Sequence, residues 1–501
     1  MAPHRRCGQL RVPALRAHSC PRLPSVCEAG YSIPKFTRQF NEDLIVRPLS
    51  IRTLLLTVGT NTLLLGTALA DQSLEMKVDE YLKPYIDAGG FSGAILIARD
   101  GKILLSRGYG MANYELEVQN TSQTRFHIAS ISKTFTAAAI LMLEEQGKLS
   151  TRDSLVKFVP DYPSGEEITI RHLLTHTSGI PNANDLPDYD EKSKSPHNLE
   201  EIIGWFKNRP LDFNPGAKYS YSNSNYNLLA YILEKVSGRN YGDFLSENVF
   251  TPLRMQDTGH DGDAGTILRN QASGYVPKGT TGIANAPCRD WTNLTGNGSL
   301  YSTVEDLYKW DQALRTERIL NRNSLNEMFS EQVKGVGYGW FVRQNLNRPV
   351  ADSNGRTPGF TSYIERFLDA DACIIILSNN YAPVPHLIVK DLAAMLFGEP
   401  YTPPGSMKAV RLEAPVLDRL VGQYQFGSEF YRPGVAVSVE REGNNLVLKW
   451  STAYKNVLIS ISETTFLLRD FWARIIFQKD SAGEATGFLW RDTTEYPARK
   501  R

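Results

Sequence analysis

The sequence predicts an α/β (α+β) protein: one sheet whose strands flank a helical segment on both sides, followed by an all-β, barrel-like domain. Three observations predict it. A hairpin signal near residue 100 gives way to helical periodicity between about 130 and 236. Strand character returns near residue 337 and is closed by an apolar helix. Beyond residue 404, short strand-like runs recur at close spacing.

Taken in order, the amphipathic run Leu74–Ile86 reads as a helix stopped by Gly89-Gly90. Ser92–Ala98 and Lys102–Arg107 read as strands joined at Asp100-Gly101, a turn pair suited to a tight hairpin. Helices are expected over Ser130–Gln146, with Gly147 as its C-terminal stop, and over Asn225–Val236, stopped by Ser237-Gly238. Gly337–Arg343, Phe360–Phe367 and Ala372–Leu377 read as strands, and Val384–Phe397 as a helix. Gly398–Pro404 has linker composition. Six strands are then expected, at Val435–Glu440, Leu446–Trp450, Val457–Ile461, Thr465–Arg469, Arg474–Gln478 and Ala485–Arg491. Trp450, Phe471, Trp472 and Trp490 are expected in the core of that module.

Hydrophobic residues make up 42% of the 501 and charged residues 22%, which excludes a disordered chain. Lys and Arg number 55 against 54 Asp and Glu, so the basic excess of a nucleic-acid binder is missing. The balance is uneven along the chain. Residues 1–70 hold nine Lys/Arg and three acids, leaving 71–501 net acidic. Arg47 and Arg52 precede the apolar stretch Thr53–Thr67 and then Ala68-Leu69-Ala70, an ordered signal-peptide pattern over about 46–70. The stretch is short and Thr/Asn-interrupted for a membrane span. Export follows as the expectation, with a secreted or periplasmic mature protein starting at Asp71, no stable membrane span after cleavage, and residues 1–45 a misassigned start or an expression artefact. Three of the five cysteines (Cys7, Cys20, Cys27) lie in this leader; Cys288 and Cys373 alone make neither a disulfide framework nor a metal site. The domain division is therefore 1–70 leader, 71–398 main domain, 399–410 linker and 411–501 small all-β domain.

Ser130 and Lys133 in the run FHIASISKTFT stand three apart at a helix start, on one face. A serine hydroxyl becomes nucleophilic once a neighbour takes its proton, and a desolvated lysine can do so. Tyr221 and Asn223, in the run KYSYSNSNY, sit two apart on a loop; a phenol relays protons and an amide holds a carbonyl. In Ser353-Asn354-Gly355-Arg356, Gly355 allows close backbone approach, so the Arg356 N–H can join that of Ser130 as an oxyanion hole.

In this order and spacing, the three segments resemble the serine β-lactamase and penicillin-binding protein superfamily. The nearer branch is that of class C β-lactamases, D-Ala-D-Ala carboxypeptidases, D-aminopeptidases and related esterases. The resemblance runs from about Gly90 to Phe397 and includes Leu173–Pro181, Gly296–Trp310 and Gly335–Trp340. It implies a β-lactamase/transpeptidase-like antiparallel sheet with a helical domain, and no cofactor or metal. It implies Ser130 as the acylated nucleophile, Lys133 as its activating partner, Tyr221 as proton shuttle to the leaving group and Asn223 as carbonyl binder. Whether Lys133 or Tyr221 is the acylation base stays open, as does the oligomeric state. His176 reads as structural, because that set already supplies the proton traffic. The all-β module is similar to a lipocalin-like appended domain through its strand rhythm and its Gly422-Gln423-Tyr424 opening.

One departure stands out. The family's third motif is Lys-Thr-Gly, or His-Thr-Gly and His-Ser-Gly in the nearer branch; here it is Ser353-Asn354-Gly355. Arg356 is the nearest cation, though strand alternation predicts that its side chain turns to the other face. The expected activity is hydrolysis of amides or esters: peptidoglycan-type peptides, D-amino-acid peptides, β-lactams or small esters. The weakened motif keeps a second reading, a catalytically weak protein that binds or senses cell-wall peptides.

Overall fold

The computed structural model describes residues 74–501 apart from 280–281, 406, 452–454 and 493. The expected leader and signal peptide lie outside the described residues.

The main sheet has six strands, all antiparallel. After helix α1 (74–87) come β1 (Gly93–Arg99) and β2 (Lys102–Tyr109). Asp100 (φ 53) and Gly101 (φ 72) form their turn, the left-handed pair that matches strand twist. The helical layer is built on α2 (Ser132–Glu145), α3 (Leu199–Phe206), α4 (Asn223–Ser237) and α5 (Val304–Ala313). Of these, α3 and α5 were hidden among turn-rich sequence. Asn198 and Glu201 cap α3 reciprocally, and the Thr303 side chain caps α5. The sheet is completed by β3 (Phe341–Asn345), β4 (Arg348–Thr357), β5 (Phe360–Phe367) and β6 (Ala372–Ser378), followed by α6 (Val384–Phe397). Strand order is β3-β4-β5-β6-β1-β2, so the early hairpin docks beside the last strand.

Alternation along β1 divides the core. Ala94, Leu96 and Ala98 face the helical layer with Phe135, Ile140 and Trp310. Ile95 and Ile97 face Val78 and Leu82 of α1 and Ile388 and Leu392 of α6. With both faces covered, β1 reads as an unbroken apolar run.

Two expectations are corrected here. The strand foreseen at Gly337–Arg343 begins at Phe341, because Gly339 (φ 78) turns the chain tightly over the backbone of α2. A Cβ at Gly339 would lie 2.7 Å from the Lys133 carbonyl oxygen. The next strand was foreseen only from Phe360, whereas Ser353–Thr357 is already within β4; the turn is Pro358-Gly359, with Gly359 at φ 86.

The C-terminal module is a closed barrel of eight strands: β7 (Gly422–Phe426), β8 (Ala436–Glu442), β9 (Asn445–Lys449), β10 (Lys455–Ser460), β11 (Thr465–Leu468), β12 (Ala473–Lys479), β13 (Ala485–Arg491) and β14 (Glu495–Lys500). The six foreseen strands are joined by β7 and β14, which pair with each other and remove both sheet edges. Its interior is filled by side chains such as Tyr424, Phe466, Phe477, Phe488 and Trp490. Trp472 instead points out of the barrel and packs on Gly90 and Tyr85 of the main domain. Trp450 and Phe471 are partly buried against the barrel core.

Candidate active site

Ser130 sits in a 3-10 turn, Ala129–Ile131, that leads directly into α2. That helix is buried nearly all round, as its apolar sequence implies, so Lys133 enters protein rather than water. Lys133 Nζ lies 3.0 Å from Ser130 Oγ, 2.8 Å from Asn223 Oδ1 and 2.8 Å from the Asn297 carbonyl oxygen. Among the described residues no carboxylate pairs with it. Burial therefore acts uncompensated and pushes the Lys133 ammonium well below its ordinary value. Once neutral, the amine has two N–H groups and one lone pair. Asn223 and Asn297 take the two donors, which leaves the lone pair for Ser130 Oγ.

Tyr221 Oη is 2.8 Å from Ser130 Oγ, on the loop that enters α4. Burial pushes the phenol above its ordinary value, so it is a neutral hydroxyl that gives and takes protons in one motion. Asn223 is not on that loop, as foreseen, but is the first residue of α4, and Ser222 is the N-cap. Its backbone N–H donates to Asn182 Oδ1 and its side-chain amide to Asn184 Oδ1, which fixes the amide plane. His176 (φ 56) lies under Tyr221, ring centroids 4.5 Å apart. Its Nδ1 accepts from the Ser222 N–H at 3.2 Å. Burial, with the charge of Lys133 nearby, holds its pKa down to about 3, so it stays a neutral spacer at physiological pH.

The third segment arrives on β4. The two-residue turn makes Thr357 and Phe360 a hydrogen-bonded pair, and alternation from there directs the Arg356 N–H away from β5. Pairing with β3 ends at Asp352, so the edge beside Ser353–Thr357 is uncovered toward Ser130. Gly355 makes the approach possible: a Cβ there would lie 2.4 Å from the Ile128 carbonyl oxygen and 2.8 Å from Ser130 N. Ser130, Lys133, Tyr221, Asn223, Ser353 and Arg356 line one cavity of about 390 Å³, which Asn354 also borders.

A family profile described as Beta-lactamase matches residues 78–398. The chain belongs to that family. A penicillin-binding protein of Bacillus subtilis is 29% identical over 435 residues, covering 81% of this chain and 94% of the relative. Among solved structures, the octameric penicillin-binding protein homologue from Pyrococcus abyssi shares the fold (TM-score 0.59, 23% identity, 85% of this chain and 99% of that one). So does the D-amino acid amidase from Ochrobactrum anthropi SV3 complexed with L-phenylalanine amide (TM-score 0.60, 22% identity, 65% of this chain and 99% of that one).

Within this β-lactamase-family site, sequence reasoning missed the Asn297 carbonyl, the Asn182 and Asn184 amides, and an aromatic wall of Tyr219, Trp340 and Phe341. A backbone carbonyl has no side-chain signature. Gly296-Asn297-Gly298 was the available signal: Gly296 (φ 83) crosses α4 so closely that a Cβ would lie 2.3 Å from the Tyr226 carbonyl oxygen. Asn297 is also a glycosylation sequon, as are Asn120 and Asn293, yet all three side chains are buried and hydrogen-bonded. Among the described residues, no cluster of His, Cys, Asp or Glu is arranged to hold a metal. No helix among them is long and apolar enough to cross a membrane.

Proposed function

We propose that this chain is a secreted or periplasmic serine hydrolase that cleaves amides or esters through an acyl-enzyme on Ser130. One observation carries the reading: Ser130 Oγ lies within hydrogen-bond reach of both Lys133 Nζ and Tyr221 Oη, 3.0 and 2.8 Å away. Ser130 Oγ attacks the substrate carbonyl and passes its proton to the neutral Lys133 amine. The N–H groups of Ser130 and Arg356 hold the oxyanion. As the tetrahedral species collapses, Tyr221 hands a proton to the leaving amine or alcohol and is reprotonated from Lys133. Water then attacks the acyl-enzyme with the same groups acting in reverse. Asn223 orients the acyl side of the substrate. Residues 71–398 carry this chemistry, and 411–501 form the appended barrel.

The substrate classes that suit the site are peptidoglycan-type or D-amino-acid peptides, β-lactams and small esters. The names of the Bacillus subtilis and Ochrobactrum anthropi proteins support penicillin binding and D-amino acid amide hydrolysis as first assays. The test is intact-mass labelling with a fluorescent penicillin and an activated ester, beside Ser130→Ala. A Ser130-dependent adduct from either reagent supports the hydrolase. Its absence from both, with retained peptide binding, moves the protein to a binding or sensor role, which the serine at position 353 favours.

A further inference from the structure

A second cavity, of about 570 Å³, lies between the barrel and the α6 face of the main sheet. Its volume suits a small organic molecule rather than a single ion. It shares no lining residue with the cavity of Ser130, and β4 runs between the two. Alternation explains the separation: Ala351 packs toward the helical layer, whereas Val350 packs with α6, and Asp352 shares the face of Val350. The barrel wall is fixed to the main domain by Arg469, which donates to the carbonyl oxygens of Gly282 (2.9 Å) and Gly89 (3.2 Å).

The two walls carry polar groups of opposite kind that the protein itself leaves unmatched. On the barrel side, Arg474 and Arg491 stand directly opposite each other on β12 and β13. Both point outward, because their neighbours Ile475 and Trp490 fill the barrel interior. Like charges so placed cost stability. Glu495 neutralises Arg491 at 2.6 Å, but among the described residues no carboxylate or other acceptor takes the Arg474 guanidinium. Trp472, which also borders the cavity, is 3% exposed, and its buried Nε1–H meets no acceptor. On the sheet side, Asp352 is 1% exposed and its buried Oδ1 has no hydrogen bond. Its Oδ2 lies 3.6 Å from Arg343 Nε, beyond hydrogen-bond reach. Burial pushes this carboxyl up to about 6, so at neutral pH it is chiefly ionised, with one oxygen left without a donor. The other carboxylates bordering the cavity are engaged. Glu365 accepts from Asn345 at 2.7 Å, Asp391 from Tyr81 at 2.6 Å and Asp492 from Trp490 at 2.7 Å. A buried polar group without a partner is costly enough that each one calls for an explanation.

We propose that this interdomain cavity binds a short peptide in its zwitterionic form, the carboxylate received by Arg474 and the Trp472 Nε1–H, the ammonium by Asp352. An unpaired guanidinium beside an indole N–H suits a carboxylate, and an ionised carboxylate oxygen without a donor suits an ammonium. Unmatched groups of both signs in one cavity select a ligand that carries both charges. Tyr85 and Tyr363 add aromatic lining for its apolar parts. The site is independent of the hydrolase reading, because it uses none of the residues around Ser130. A peptide bound there ties the barrel to the main sheet.

The test titrates the dipeptides Ala-Ala and Ala-Phe, in L,L and D,D forms, into the Ser130→Ala protein by calorimetry, so that turnover does not interfere. At least one is expected to bind at millimolar concentration or below and to raise Tm as the site fills. N-acetylation removes the ammonium and C-terminal amidation the carboxylate. Each should weaken binding about 10- to 100-fold, the worth of a charge-assisted contact. Arg474→Gln is expected to erase the penalty of amidation, and Asp352→Asn that of acetylation, each leaving the other penalty in place. The Trp472 indole N–H resonance, assigned by its loss in Trp472→Phe, should shift on binding. Circular dichroism identifies a variant that has failed to fold; if Asp352→Asn does, the Arg474→Gln pattern and the indole shift decide. Absence of binding by all of these peptides overturns the proposal. So does binding that survives Arg474→Gln unchanged and is lost in Asn223→Ala, which would put the peptide beside Ser130. Failure of Ser130 labelling would remove the hydrolase reading and leave this site standing.

Discussion

The Asn297 carbonyl oxygen lies 2.8 Å from Lys133 Nζ across 164 residues of sequence, and it makes the lysine's proton count decisive. With Asn223 it occupies two donors of the amine. The third position either holds a proton toward Ser130 or offers it a lone pair.

Acylation should therefore rise with pH and level off well below the ordinary lysine value, since burial favours the neutral amine. Stopped-flow labelling with an activated ester gives the profile. Lys133→Arg should be as inactive as Lys133→Ala despite keeping the charge, because a guanidinium does not give up its proton. A labelling-competent Lys133→Arg enzyme would contradict the base role.

Tyr221→Phe removes only the hydroxyl 2.8 Å from Ser130 Oγ. We expect about a 10²- to 10⁴-fold loss in acylation rate, the usual range for a positioned acid–base group. The ring still packs on His176, so Tm should change little. Parallel loss of Tm and rate would assign Tyr221 a packing role.

Gly355→Ala places a Cβ against two backbone atoms, Ile128 O and Ser130 N. Neither can swing aside as a side chain would. The strand must retreat from the nucleophile, at a cost of about 1–3 kcal/mol. Labelling should slow by at least about tenfold, as for a lost oxyanion donor, and Tm should fall. Wild-type labelling by this variant would show that the oxyanion hole lies elsewhere.

Asp352 and Glu365 oppose each other across β4 and β5, both buried. Burial pushes the Asp352 carboxyl up to about 6 and that of Glu365 up to about 8. Both folded values exceed the unfolded ones, near 4. Their stabilisation is therefore complete only below about pH 4 and is lost progressively as pH rises from there, through about 6 for Asp352 and about 8 for Glu365. Tm should decline across that window, and Glu365→Gln should flatten the decline while its Oε1 still accepts from Asn345. Superimposable Tm–pH curves for the two proteins would refute this account.

Much of this site is legible in sequence because its chemistry is local. Ser130 and Lys133 share one helical turn, and the Asp100-Gly101 hairpin and the Gly147 and Gly238 helix stops are short-range signals with a steric cause. β4 escaped because Asp352-Ser353-Asn354-Gly355-Arg356 is polar on both faces. A strand that must present an open edge and polar side chains to a reaction forfeits the alternation that would reveal it. β14 escaped for a different reason. Pro497 argues against a paired strand, yet it is tolerated because pairing with β7 begins only at Ala498, which leaves Pro497 paired on the β13 side alone, opposite Leu489. Asn297 contributes its backbone, which no residue pattern encodes.

The docking of β1 against β6, Gly93 opposite Ser378 through Arg99 opposite Ala372, has a consequence for synthesis. The apolar β1 emerges early but lacks its central neighbour until almost the whole main domain has been made. Ser130, Asn297 and Arg356 likewise appear far apart in time. A growing chain thus carries its serine long before that serine can react, and its stickiest strand long before that strand is covered. The same topology that assembles the site last also leaves β1 uncovered until its late partner arrives.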